Sequence, residues 1–221
     1  MKHRHETEVK LVVNRPSDVH ERLSELGFHP VKARHFESNY LFDFPDLRLR
    51  KARCLLRLRF ACDQGLLTFK GAPLRSRDYK IRREIETHVE DGHQVREILR
   101  NLGMREVFCY EKFRTLYAPR GKREVSEAPH LVFDETPIGD FLELEGPERW
   151  IDEVARHLGF SRAEYITESY AALYRKKCVA EGKKVGNMIF PKRRSGGVLI
   201  GDVAPASSRH RAAKMAALRS N

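Results

Sequence analysis

Polar and apolar positions alternate along much of this chain, and where the pattern begins the polar set is charged: Glu6, Glu8 and Lys10 are separated by Thr7 and Val9. A period of two places alternate side chains on opposite faces of a strand. The pattern returns at Arg57 and Arg59 between Leu56 and Leu58, and at Arg82, Glu84 and Glu86 around Ile81 and Ile85. It recurs at Lys112 and Arg114 about Phe113, and at Glu143 and Glu145 beside Leu142 and Leu144. One charged strand face would ordinarily meet water. Several such faces of both signs, each backed by apolar residues, predict a sheet covered by helices on its apolar side and enclosing something on its charged side.

The spacing predicts strands over about 6–13, 31–44, 54–62 and 66–70, with a helix from Pro16 to Leu26 after the first. Pro16 suits a first helical turn, Val19, Leu23 and Leu26 recur at helical spacing, and Gly27 can take the left-handed stop. The second half follows the same plan. It has a charged strand over 81–90, a helix from Gly92 behind an Asp91 cap that ends at Gly103, strands over 104–118, 131–134 and 140–145, and a helix from Pro147 to Gly159. The endings Glu25-Leu26-Gly27-Phe28, Asn101-Leu102-Gly103-Met104 and His157-Leu158-Gly159-Phe160 fit either an internal duplication or shared capping chemistry. Two copies of strand-helix-strand-strand-strand give eight mostly antiparallel strands, enough for a small barrel that holds one ligand. A last helix is expected over 167–180. Residues 182–221 then read as a basic, disordered tail with a weak helix near 211–218, leaving 1–181 as one folded domain.

Composition narrows the function classes. The chain has 221 residues with a net charge of +11, which invites a nucleic-acid reading. However, residues 182–221 hold nine Lys/Arg against Asp202 alone, leaving 33 bases and 30 acids before them. A nearly balanced body does not form a phosphate-backbone face, so nucleic acid is not expected as a partner. No apolar run approaches the roughly 20 residues of a membrane helix, and Met1-Lys2-His3-Arg4-His5 is followed by no apolar stretch of a secretory signal. Cys54, Cys62, Cys109 and Cys178 are far apart, which argues against structural zinc and a disulfide framework and favours the reducing cytoplasm.

The acids, with Asp134 on the strand before Glu143 and Glu145 and a further pair at Glu84 and Glu86, are hard oxygen donors suited to Mg²⁺ or Mn²⁺. The bases could be structural salt-bridge partners of those acids. Buried ion pairs, however, stabilise poorly beside apolar packing, and a polyphosphate gives arginine and lysine a reason to line an interior. His3 and His5 lack further ligands at zinc spacing. The glycines form no Walker loop, and nothing points to a Ser/His/Asp triad.

These residues resemble the CYTH domain, or triphosphate tunnel metalloenzymes, a family that includes class IV adenylyl cyclases, thiamine triphosphatases and inorganic triphosphatases. The resemblance begins with Glu6-x-Glu8-x-Lys10 and runs through Asn39-Tyr40-Leu41-Phe42-Asp43, Leu56-Arg57-Leu58-Arg59, Thr68-Phe69-Lys70-Gly71 and Arg82-x-Glu84-x-Glu86. It continues in Lys112-x-Arg114, Asp134 and Gly139-x-Phe141-x-Glu143-x-Glu145, covering about 6–174. It implies an α+β fold, an eight-stranded antiparallel tunnel with helices outside, and two bound Mg²⁺ or Mn²⁺ ions. By motif, Glu6, Glu8, Asp134, Glu143 and Glu145 would hold metal, and Arg57, Arg59, Lys70, Arg82, Lys112 and Arg114 would hold phosphates. Lys10 would contact phosphate or assist proton transfer, making Lys10, Glu6 and Glu8 the expected catalytic group. The implied reaction is hydrolysis of an inorganic, nucleoside or thiamine triphosphate. Cyclisation of ATP to cyclic AMP and pyrophosphate, or binding without catalysis, are the alternatives.

Overall fold

The computed structural model describes residues 5–61, 64–121 and 129–191. Eight antiparallel strands close into a barrel: β1 (His5–Val13), β2 (Phe28–Asp43), β3 (Leu55–Ala61), β4 (Gln64–Lys70), β5 (Lys80–Val89), β6 (Arg105–Pro119), β7 (His130–Thr136) and β8 (Gly139–Glu145). Their order round the barrel is β1-β5-β4-β3-β2-β6-β7-β8, with β8 closing on β1. Replacing each strand by the one four places later reproduces every pairing in that ring, which is the symmetry a repeated strand-helix-strand-strand-strand plan requires.

The helices pack on the outside. They are α1 (Pro16–Glu25), a short α2 (Arg48–Lys51), α3 (Gly92–Asn101), α4 (Glu148–His157) and α5 (Tyr170–Ala180). Pro16 opens α1, and the Asp91 carboxylate accepts from the backbone N–H groups of His93 and Gln94 at the start of α3. Gly27, Gly103 and Gly159 end α1, α3 and α4 with φ of 79°, 84° and 88°, the left-handed region that glycine enters without strain.

The apolar strand faces form two outer cores. Val9, Leu11, Val13, Leu142 and Leu144 pack with Val19, Leu23, Ile151 and Ala155 of α1 and α4, and Phe42 and Leu58 pack with Leu99 and Met104 beside α3. Burying each such leucine contributes about 1.5–3 kcal/mol, and this places the charged positions of the same strands inside. A third cluster, Tyr110, Phe141, Tyr170 and Met188, fills one end of the interior. No helix among the described residues is long and apolar enough to cross a membrane.

Two features were not foreseen. Asp43, 2% exposed, accepts from the backbone N–H groups of Phe44, Leu49 and Arg50 and so holds α2, whose flanks carry left-handed Leu47 and Arg53. The packed body also continues beyond Gly182, the expected start of the tail. β6 pairs with β7 only over 113–117, leaving backbone groups of Cys109 and Glu111 to be satisfied. Met188 supplies both partners, donating to the Cys109 carbonyl at 3.0 Å and accepting from the Glu111 N–H at 2.9 Å, and its side chain is fully buried. The remainder of the expected tail, from 192, lies outside the described residues.

Candidate active site

The inward positions of the strands surround a cavity of about 460 Å³. Eleven of the twelve residues given a role by the family resemblance line it, Glu6, Glu8, Lys10, Arg57, Arg59, Lys70, Arg82, Lys112, Arg114, Glu143 and Glu145, and so do Glu84 and Glu86. Pairing explains the convergence. β1 runs beside β8 with Glu8 opposite Glu145 and Lys10 opposite Glu143, and beside β5 with Glu6 opposite Arg82. Leu41 and Asn39 of β2 stand opposite Arg57 and Arg59 of β3.

Opposite charges pair along the walls. Lys10 Nζ lies 3.1 Å from Glu8 and 3.0 Å from Glu143; Lys70 Nζ lies 2.9 Å from Glu6 and 2.8 Å from Glu84. Arg57 reaches Glu86 at 3.3 Å and Thr68 at 3.1 Å, and Arg59 reaches Glu37 at 3.4 Å and Asn39 at 3.1 Å. Arg114 bonds Glu143 at 2.6 Å. Arg82 sits at the rim, with its guanidinium donating to the Arg53 carbonyl.

Asp134, the twelfth residue, is placed differently. It is 0% exposed and lies behind the wall, bonded by Arg114, Lys112 and Tyr170.

Several wall residues escaped the sequence reading. Lys80 pairs closely with Glu8, and Lys32, His35 and Glu37 enter from β2. His130 lies 3.3 Å from Glu145, Tyr110 bonds Arg57, and Tyr170 reaches in from α5. Alternation with Arg82, Glu84 and Glu86 could have revealed Lys80. Glu37 alternates with His35 and Asn39, but Ser38 between them blurs the pattern. No strand periodicity could have identified Tyr170.

Proton affinities record the crowding. Burial above all, then the neighbouring Glu145 and Glu8 carboxylates, pushes the Glu6 carboxyl up to about 7, against the pull of Lys70. Glu8 and Glu143 are held well below the usual carboxylate range: burial opposes their charge, but Lys10 with Lys80, and Lys10 with Arg114, outweigh it. Burial, then Lys10 and Lys70, draws Lys80 down to about 8 despite Glu8. Lys10 moves the other way, since Glu143 and Glu8 overcome its burial and keep it protonated.

The donor set fits a hard divalent cation. Glu6, Glu8, Glu143 and Glu145 offer carboxylate oxygens from two adjacent strands, and burial, with Glu145 and Glu8 close by, raises the Glu6 carboxyl. Among the described residues no three acid, imidazole or thiol groups already stand as a ligand cluster. The carboxylates instead face lysine, arginine or histidine, and those contacts must open for an ion to enter.

A CYTH-domain family model matches residues 4–170. The chain belongs to the CYTH family. A Methanocaldococcus jannaschii protein provisionally named an adenylate cyclase is 32% identical over 178 residues, 76% of this chain and 97% of its own length. Solved structures share the CYTH barrel. One from Vibrio parahaemolyticus, also provisionally named an adenylate cyclase, gives a TM-score of 0.66 at 18% identity, covering 81% of this chain and 99% of the other. One from Pyrococcus horikoshii gives 0.62 at 24% identity, with 78% and 99% covered. A Hippeastrum protein provisionally named an adenylyl cyclase, and described as having a dominant triphosphatase activity, gives 0.57 at 20% identity, with 81% and 97% covered.

Proposed function

We propose that this CYTH protein is a triphosphatase dependent on Mg²⁺ or Mn²⁺, which binds its substrate in the barrel and releases orthophosphate. The observation that carries the reading is the cavity wall, where nine lysines and arginines and seven glutamates line one open space. An ion-pair network serving only stability gains little over apolar packing, and nothing in that role calls for a cavity. A triphosphate with its cations can exchange partners with the wall, phosphate oxygens taking the bases and cations taking the acids, so that no charge is left buried alone.

Arg57, Arg59, Lys70, Lys112 and Arg114 project from β3, β4 and β6 and grip phosphate oxygens. The arginines offer two parallel donors each and the lysines compact charge. Arg82 meets the chain at the rim. Glu6, Glu8, Glu143 and Glu145 would hold the two ions. Bound there, divalent metal would lower the pKa of a coordinated water and offset charge on the phosphates. Lys10, fixed between Glu8 and Glu143 and kept protonated, supplies positive charge and a donor beside the reacting phosphate; it is not a base.

The cyclase reading has in its favour the provisional name of the 32%-identical M. jannaschii relative. The Hippeastrum protein, provisionally named a cyclase and described as having a dominant triphosphatase activity, shows that both names occur on this fold. Incubating the protein and Mn²⁺ with tripolyphosphate, ATP or thiamine triphosphate separates them. Orthophosphate is the expected product. Pyrophosphate with cyclic AMP would establish the cyclase, and tight binding with no product would leave a binding module.

A further inference from the structure

We propose that Asp134 is not a metal ligand in this chain but the buried anchor that, with Tyr170, aims Lys112 and Arg114 at the substrate. The inference rests on the reading of the barrel as a triphosphate site, and it parts from the family pattern on one residue.

A carboxylate offers about four acceptor positions on its two oxygens. Asp134 accepts four hydrogen bonds, three on Oδ2 and one on Oδ1. Arg114 Nε donates to Oδ1 at 2.7 Å and Arg114 Nη2 to Oδ2 at 2.7 Å. Oδ2 also accepts from Lys112 Nζ at 2.9 Å and from the Tyr170 hydroxyl at 2.8 Å. The side chain is 0% exposed, so a cation would have to displace a bidentate arginine to reach it. Glu143 differs: it lines the cavity and shares only one Arg114 contact and one Lys10 contact.

Tyr170 completes the arrangement from outside the strand pattern. It is the first residue of α5, with Ser169 capping the helix by accepting from Ala172 N–H. Its ring lies 5.3 Å from both the Lys10 and the Lys112 ammonium, within cation–π range. Burial and the adjacent Asp134 keep its phenol protonated and therefore a donor. One tyrosine thus touches the anchor, the Lys112 that the anchor aims, and Lys10. Losing the hydroxyl frees Asp134 to rotate and Lys112 to withdraw, while the acids of β1 and β8 keep their places.

The test measures Mn²⁺ binding and metal-free tripolyphosphate binding separately, by calorimetry, for the wild type and for Asp134→Asn, Tyr170→Phe and Glu143→Gln. Tyr170→Phe keeps the ring and removes one donor, so it guards against a misfolded Asp134 variant; thermal melts check both. The expected result is that Asp134→Asn and Tyr170→Phe weaken tripolyphosphate about tenfold or more and leave Mn²⁺ affinity within about twofold, while Glu143→Gln loses Mn²⁺. Loss of Mn²⁺ binding in a folded Asp134→Asn protein overturns the proposal, as does unchanged tripolyphosphate affinity in both anchor variants. A wild type that binds Mn²⁺ but no tripolyphosphate removes the triphosphate reading and the anchor role with it, yet the Mn²⁺ comparison still decides whether Asp134 is a ligand. A wild type that binds neither overturns both.

Discussion

Replacing Glu6 by glutamine should abolish metal-dependent turnover and, in metal-free buffer, make the protein more stable at pH 8. Glu6 holds its proton to about 7 in the folded barrel, against an ordinary 4.5, because it is buried beside Glu145 and Glu8. At about 1.4 kcal/mol for each tenfold step in acidity, forcing that carboxyl to ionise costs the folded state about 3 kcal/mol. The cost is absent below pH 4.5, grows as pH rises and is complete above about 7. Glutamine is close in shape and carries no charge, so the variant escapes the cost but loses the Lys70 ion pair already counted in the raised value. For a domain of this size 1 kcal/mol moves the midpoint by about 2–4 °C. With some relaxation of the neighbours, the variant should melt about 5 °C above wild type at pH 8 and within about 1 °C of it at pH 4.5. Calorimetric melts in EDTA across that range provide the assay. A difference that does not change with pH, or a variant less stable at pH 8, would refute the crowding argument.

Further outcomes follow from other parts of the structure. Glu143→Gln should lower Mn²⁺-dependent turnover by about a hundredfold or more with an unchanged circular dichroism spectrum; wild-type rates would remove Glu143 from the site. Leu58→Ala, deleting a fully buried side chain beneath α3, should cost about 2–5 kcal/mol by denaturant titration. Glu106 takes 2.7 and 2.6 Å bonds from Arg96 and another at 2.7 Å from Arg100, and those bonds hold it below 4.5. It is the opposite case to Glu6, with stability present above 4.5 and lost as pH falls through its lowered value. Glu106→Gln should therefore cost about 1 kcal/mol at pH 7 and less at pH 3.

Strands and helices were legible because charge inversion on a period of two is a strong signal, and Pro16, Asp91 and the three stopping glycines mark helix ends chemically. The short α2 was not, since four residues are too few for a helical period and its support comes from Asp43, whose acceptor role depends on the folded loop. Residues 183–190 carry no amphipathic pattern and are ordered by the free edge of β6. In the site, inward direction could be read for Asp134 but its partners could not. Parity places it on the charged face, and only the fold surrounds it with Lys112, Arg114 and Tyr170. The ion pairing of acids with bases was weighed from sequence as a competing explanation of the charges. The barrel contains that pairing as well as the cavity it lines, which is why charge pattern alone could not choose between them.

The central claim is that the barrel interior takes a triphosphate and divalent cations together. A crystal structure grown with Mn²⁺ and tripolyphosphate tests it directly through the anomalous signal of manganese. The account predicts manganese between the glutamates of β1 and β8, with the phosphate chain against Arg57, Arg59 and Lys70. Manganese and phosphate on the outer surface, with the Lys10–Glu143 and Lys70–Glu6 pairs intact inside, would contradict it.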